Sequence, residues 1–183
     1  MSMERSEVKG PVLVGLRGSG KNTIGPRAAR ALGLTWMDAD AEIERDFGAP
    51  IPEIFQQRGE KGFRDLEKGA LLSLLALPGV LLGTGGGAVL HPEVRKALLG
   101  RFTVWLTGPV SILASRIAGS DRPSLTGRPV EEELSAMASQ REALYREVAT
   151  LVVDTGLLSP DQSAEAIRAG FLEAQARARE GGS

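Results

Sequence analysis

The chain alternates short apolar runs with longer stretches whose apolar residues recur at helical spacing. The runs predict strands at Pro11–Leu16, Thr35–Asp38, Val80–Thr84, Phe102–Leu106 and Leu151–Asp154. The stretches between them predict helices at Lys21–Leu32, Ala39–Phe47, Pro52–Gln57, Gly62–Ala76, Pro92–Leu99, Val110–Ala118, Val130–Val148 and Pro160–Arg179. Strands that are apolar nearly throughout, and that alternate with helices, predict an α/β fold. Its five strands form a parallel sheet with helices on both faces, giving three layers. Ligands then bind beyond the carboxyl ends of the strands. The apolar segment Ala70–Leu90 has the length of a membrane span, but Pro78-Gly79 and the glycines from Gly83 to Gly87 interrupt it. It reads as a helix end, a turn, a buried strand and a glycine loop.

Composition narrows the function classes. At 183 residues the chain suits one domain. Its net charge of −1 supplies no global field for nucleic acid or an anionic membrane. There is no cysteine, which excludes disulfides, thiolate nucleophiles and thiolate metal sites. The opening residues Met1 to Glu7 are polar and lack the apolar core of a secretory signal, so a cytoplasmic location is expected. The single histidine, His91, precedes Pro92 and reads as a helix-entry residue. Residues 180–183 are expected to fray.

Chemistry concentrates where predicted strands end. Gly15-Leu16-Arg17-Gly18-Ser19-Gly20-Lys21 follows the first strand and opens a helix, the setting of a phosphate-binding loop. Backbone N–H groups freed by the glycines can curl around phosphate oxygens, the helix N-terminus adds partial positive charge, and Lys21 can reach the outer phosphates. Asn22 occupies the position where Ser or Thr normally helps bind magnesium. Asp38-Ala39-Asp40 ends the second strand. One carboxylate can hold metal-bound water while the other accepts a proton or hydrogen bond from a hydroxyl; the alternative is a helix N-cap.

Gly85-Gly86-Gly87 follows the third strand and permits close approach of a small ligand, or forms a turn. Arg64 and Glu67 share a helix face, either at a site or as a solvated ion pair. Asp121-Arg122-Pro123 lies in the polar stretch Gly119–Pro129, suited to a mobile lid that carries arginine over a transferring phosphate. Arg141 on the next helix can face the same cavity and meet a carboxylate.

Taken in order, the phosphate loop, Asp38-Ala39-Asp40, Phe63-Arg64-x-x-Glu67, Gly85-Gly86-Gly87, Arg122-Pro123 and Arg141-x-x-Leu144-Tyr145 resemble the shikimate kinase family, from about Val12 to about Ile167. The resemblance implies a P-loop kinase fold with a helical substrate-binding subdomain over residues 39–67 and a lid over residues 119–129. It implies transfer of phosphate from ATP, with Mg2+, to the 3-hydroxyl of shikimate. It assigns Gly18, Ser19, Gly20, Lys21, Asn22 and Thr23 to the phosphates, and Asn22 and Asp38 to the metal. Asp40 orients or deprotonates the hydroxyl. Arg64, Gly86, Gly87 and Arg141 hold shikimate, the two arginines on its carboxylate. Arg122 is the lid arginine on ATP, and Arg116 and Pro160 line the adenine. The strand before Gly85 carries no acid, as in the family, so Asp38 and Asn22 become the main protein support for the metal. The resemblance further implies a monomer, with no nucleic-acid or membrane partner.

Three departures stand out: Asn22, Pro26 in the helix after the loop, and Leu157 with Leu158 where the family has polar or basic residues near the adenine. Pro26 lacks the N–H that would bond the Asn22 carbonyl, so a distorted turn beside the metal site is expected. Two other readings remain open: a different small-metabolite kinase, such as a gluconate kinase, and a catalytically weakened protein that binds ATP and shikimate.

Overall fold

The structure is a computed structural model that describes residues 8–118 and 127–181. In chain order its elements are β1 (Val12–Val14), α1 (Lys21–Leu32), β2 (Thr35–Asp38), α2 (Ala39–Phe47), α3 (Ile51–Ala76), β3 (Val80–Gly83), α4 (Pro92–Leu99), β4 (Thr103–Thr107), α5 (Val110–Ala118), α6 (Val130–Val148), β5 (Leu151–Asp154) and α7 (Pro160–Glu180). The five strands form one parallel sheet in the order β2-β3-β1-β4-β5.

Strand alternation divides the core into two layers, because successive side chains point to opposite faces. Leu13, Leu81, Val104 and Leu106 face α1 and α7, meeting Ile24, Ala28, Ala29, Ala164 and Ile167. Val12, Val14, Leu82 and Trp105 face the opposite way, toward α3, α4, α5 and α6, meeting Leu71, Leu75, Val94, Leu98, Leu113 and Leu134. A third, smaller cluster of Ile43, Ile54 and Phe63 joins α2 to the first half of α3. The Phe55 and Phe63 rings stack in it with centroids 4.2 Å apart.

Most predicted boundaries coincide with the observed ones, and the differences have local causes. The two helices expected on either side of residue 60 are the arms of α3, bent at Gly59, whose φ of 67° and ψ of 175° are not helical. A residue with Cβ rarely adopts that φ, so glycine is needed at the bend. β1 is shorter than its apolar run because Gly15 turns the chain away, with φ 146°. β4 extends one residue further because Thr107 stays in the ladder opposite Asp154. A 3-10 turn at Ala88–Leu90 had no sequence signal. Glu180, expected to fray, is the last residue of α7.

The distortion expected around Pro26 does not break the helix, since α1 runs from Lys21 to Leu32. The missing bond would have joined the second turn to the Asn22 carbonyl in the first, and the Arg27 side chain adds a bond of 2.6 Å to the neighbouring Thr23 carbonyl. Among the described residues no helix is long and apolar enough to cross a membrane.

Candidate active site

The loop between β1 and α1 has the geometry of an anion cradle. Gly18 and Gly20 adopt φ values of 77° and 90°. A Cβ on Gly18 would lie 2.5 Å from the Leu113 carbonyl oxygen, so the backbone runs close against α5. Gly20 caps α1 without any side-chain bond, and the first turn of α1 has no acidic residue. The positive end of the helix dipole is therefore not offset by an acid in its own first turn. Lys21 folds over the loop, with Nζ 2.7 Å from the Gly15 carbonyl and 2.9 Å from that of Leu16. Ser19 is fully buried beneath it.

Asn22 and Asp38 meet at the mouth of this loop. The Asn22 amide donates from Nδ2 to Asp38 Oδ2 at 2.6 Å. A carboxylate accepts only, so the amide nitrogen must face it and the amide oxygen turns away. The second Asp38 oxygen accepts the Asp40 N–H at 3.0 Å and caps α2. Asp38 is therefore both the N-cap and a metal-site candidate. Among the described residues no group of three or more His, Cys, Asp and Glu side chains forms a metal cage. Asp38 and Asn22 offer oxygen donors, which suit a magnesium ion that takes most of its ligands from phosphate and water.

The glycine triplet after β3 gathers the remaining predicted residues. A Cβ on Gly85 would lie 2.6 Å from Asp40 Oδ1 and 3.2 Å from Glu67 Oε1, and one on Gly87 would overlap the Arg64 guanidinium. Side-chain-free backbone is thus required where Asp40, Glu67 and Arg64 converge. Arg141 comes from the other side, on α6, and donates to the Gly86 carbonyl at 3.0 Å. Arg141 is only 8% exposed, and its Nε is buried with no hydrogen-bond partner. A guanidinium fixed beside a glycine cradle can pair with an anion.

Tyr145 donates to the same Gly86 carbonyl at 2.7 Å and stacks on Trp105 at 5.8 Å, which fixes the floor of the cradle. Burial pushes the Tyr145 hydroxyl up to about 12, so it remains a donor throughout the physiological range. The cradle adjoins the phosphate loop, since a Cβ on Gly86 would lie 3.6 Å from the Gly15 carbonyl oxygen.

Arg64 donates to Glu67 Oε2 at 2.7 Å, and Glu67 is 3% exposed, so this is no solvated surface pair. Glu67 Oε2 also lies 2.9 Å from Nε2 of His91. His91 does enter α4 as its N-cap, but its side chain makes no capping bond and turns instead to Glu67. No local signal marks that contact, because the two residues stand 24 positions apart.

At the nucleotide end, Arg116 bridges the Gly18 carbonyl at 3.2 Å and the Thr155 carbonyl at 2.6 Å. Pro160 opens α7 immediately after Ser159, whose side chain makes a capping box with Gln162. The loop between β5 and α7 exposes Leu157, at 82%, and partly buries Leu158 against the α1–α7 layer. Arg122 and the rest of residues 119–126 lie outside the described residues. The other predicted site residues lie on the loops that follow β1 and β3, at the end of β2, at the start of α1, α2 and α7, and on α3, α5 and α6.

Known proteins share this fold. Residues 17–170 match the protein family described as shikimate kinase. The chain is 43% identical to the shikimate kinase of Mycobacterium avium over 150 residues, 81% of this chain and 85% of that one. It is 44% identical to that of Pseudomonas putida over 146 residues, 79% of this chain and 85% of the relative. The solved structure of Acinetobacter baumannii shikimate kinase in complex with shikimate superposes with a TM-score of 0.86 at 36% identity, covering 92% of this chain and 96% of that one. A gluconokinase from Sinorhizobium meliloti superposes at 0.65 with 19% identity, a likeness of fold alone. With this sheet order and these relatives, the chain belongs to the shikimate kinase family.

Proposed function

We propose that this protein transfers the γ-phosphoryl group of ATP to the 3-hydroxyl of shikimate. One observation carries the substrate assignment. Arg64 and Arg141 flank a glycine cradle that also holds Asp40. That cradle suits a small molecule bearing a carboxylate at one end and a hydroxyl at the other.

The residues divide the work. Arg64 and Arg141 take the carboxylate, and the backbone of Gly86 and Gly87 lies against the ring. Asp40 then stands where it orients the attacking hydroxyl and accepts its proton. The loop amides and the start of α1 hold the phosphates, and Lys21 exchanges its carbonyl partners for phosphate oxygens. Arg116 and Pro160 flank the adenine, and Arg122 covers the transferring group. Phosphoryl transfer depends mainly on such positioning and charge compensation. Asp38 and Asn22, together with the phosphates, would hold magnesium, which would supply neutralising charge there. The α2–α3 region acts as the substrate-binding subdomain, and the protein works as a cytoplasmic monomer.

A coupled assay with ATP and shikimate, with and without magnesium, tests the reading. Formation of shikimate 3-phosphate is expected only with magnesium. No product at saturating substrates refutes it, and faster turnover of gluconate replaces the substrate. Binding of both ligands without turnover would identify a weakened enzyme.

A further inference from the structure

Two titratable side chains beside the cradle, Glu67 and His91, have no role in the scheme above. His91 Nε2 lies 2.9 Å from Glu67 Oε2, the oxygen that also accepts Arg64 at 2.7 Å. His91 and Glu67 side chains are 12% and 3% exposed. We propose that His91 is a positioning residue for the anionic substrate: acting through Glu67, it sets how much of the Arg64 charge reaches the substrate carboxylate, and its protonation makes that affinity depend on pH. The inference rests on Arg64 being a carboxylate-binding residue.

The argument is electrostatic. Glu67 and the substrate carboxylate compete for one guanidinium. Glu67 is buried, so its charge is weakly screened and needs compensation from its neighbours. An ionised carboxylate accepts only, which obliges His91 to present Nε2–H to it in either protonation state. Neutral His91 supplies a hydrogen bond. Protonated His91 supplies a full positive charge as well, and Arg64 is then drawn less to Glu67 and more to the incoming anion. By linkage, an anion that binds better to the protonated form must bind better at lower pH.

The other charges around the imidazole are largely balanced. On α3 and α4, Lys68 and Glu93 pair with each other at 3.6 Å. Arg95 of α4 donates to the Val89 carbonyl and lies 3.4 Å from Glu147 of α6. Asp40 of α2 stands across Gly85 from Glu67, and Arg141 and Tyr145 of α6 contact Gly86. Histidine is the side chain that ordinarily titrates between about pH 5 and 8, and the chain has one.

The test is shikimate and ATP affinity measured by calorimetry from pH 5.5 to 8 on the full chain, His91→Gln, His91→Ala and Arg64→Ala. The unmodified protein should bind shikimate about five- to tenfold more tightly at the acidic end, while ATP affinity follows no such trend. Both His91 variants should lose the slope. At pH 8, Gln, which keeps an N–H donor, should stay within about twofold of the unmodified protein, and Ala should bind shikimate about fivefold more weakly. Should the Ala variant fail to fold, Gln alone decides the slope. If Arg64→Ala weakens shikimate binding but the His91 variants keep the original affinity and slope, this inference is overturned and the carboxylate assignment stands. If Arg64→Ala has no effect, the assignment itself falls.

Discussion

Replacing Asn22 with serine should improve the enzyme and slightly destabilise the fold. The 2.6 Å bond from Asn22 to Asp38 has a charged acceptor. Hydrogen bonds to charged groups contribute about 1.5–3 kcal/mol, and an exposed Asn22 places this one at or below the lower end. Two consequences follow. Asp38 spends one oxygen on Asn22 and the other on the Asp40 N–H, so using Asp38 to hold metal-bound water means competing with a bond of about that strength. Serine removes the competitor and supplies a hydroxyl at the usual magnesium position. The expected gain in kcat/KM is about tenfold, equivalent to about 1.4 kcal/mol of transition-state stabilisation, with half-maximal rate reached at lower magnesium. Losing about 1 kcal/mol from the folded state should lower Tm by about 2–4 °C in a chain of this size. Steady-state kinetics under a magnesium titration and a thermal melt measure both. Asn22→Ala separates the causes, because it frees Asp38 without adding a hydroxyl and should gain little. An unchanged rate in Asn22→Ser, beside native turnover of about 10–100 s⁻¹, would refute the reasoning and make Asn22 a competent metal-site residue.

Asp40→Asn should lower kcat by about 10²–10⁴-fold and leave ATP affinity intact in calorimetry, since Asp40 acts on the hydroxyl and not on the nucleotide. Arg141→Ala should weaken shikimate binding far more than ATP binding, and equal losses would contradict its assignment to the carboxylate. Tyr145 carries a stability prediction. Its hydroxyl is pushed from the usual phenol value of 10.0 up to about 12 in the fold, because burial disfavours the phenolate. Its contribution is therefore complete below pH 10 and is lost as pH rises toward 12. Denaturation midpoints followed over that interval should fall less steeply in Tyr145→Phe.

Much of this was legible in the sequence because the signals are local. Gly33 and Gly48, both left-handed, end α1 and α2 where glycine would be expected to stop a helix. The gap expected between the helices Pro52–Gln57 and Gly62–Ala76 contains Gly59, where α3 bends. Strand ends were less legible, since a residue such as Thr107 is held by its neighbour in the ladder and not by its own character. The chemistry divided along the same line. The phosphate loop, the two aspartates and the glycine triplet are contiguous motifs. The orientation of the Asn22 amide, the orphan Nε of Arg141 and the contact of His91 with Glu67 depend on which elements meet in space.

Those non-local contacts distinguish the two substrate arginines. Arg141 is held by a backbone carbonyl, that of Gly86, and Arg116 at the nucleotide end by the carbonyls of Gly18 and Thr155. A carbonyl fixes a guanidinium in place yet leaves its net charge for an incoming anion. Arg64 is held by a buried carboxylate, which fixes it equally well but cancels much of that charge. A site built of Arg141-type contacts alone would attract carboxylates with little dependence on pH. Placing Glu67 on Arg64, and the chain's one histidine on Glu67, gives the cradle a charge balance that one proton can shift. The two arginines should therefore respond differently to pH: the shikimate affinity left after Arg141→Ala should keep its slope between pH 5.5 and 8, and that left after Arg64→Ala should lose it.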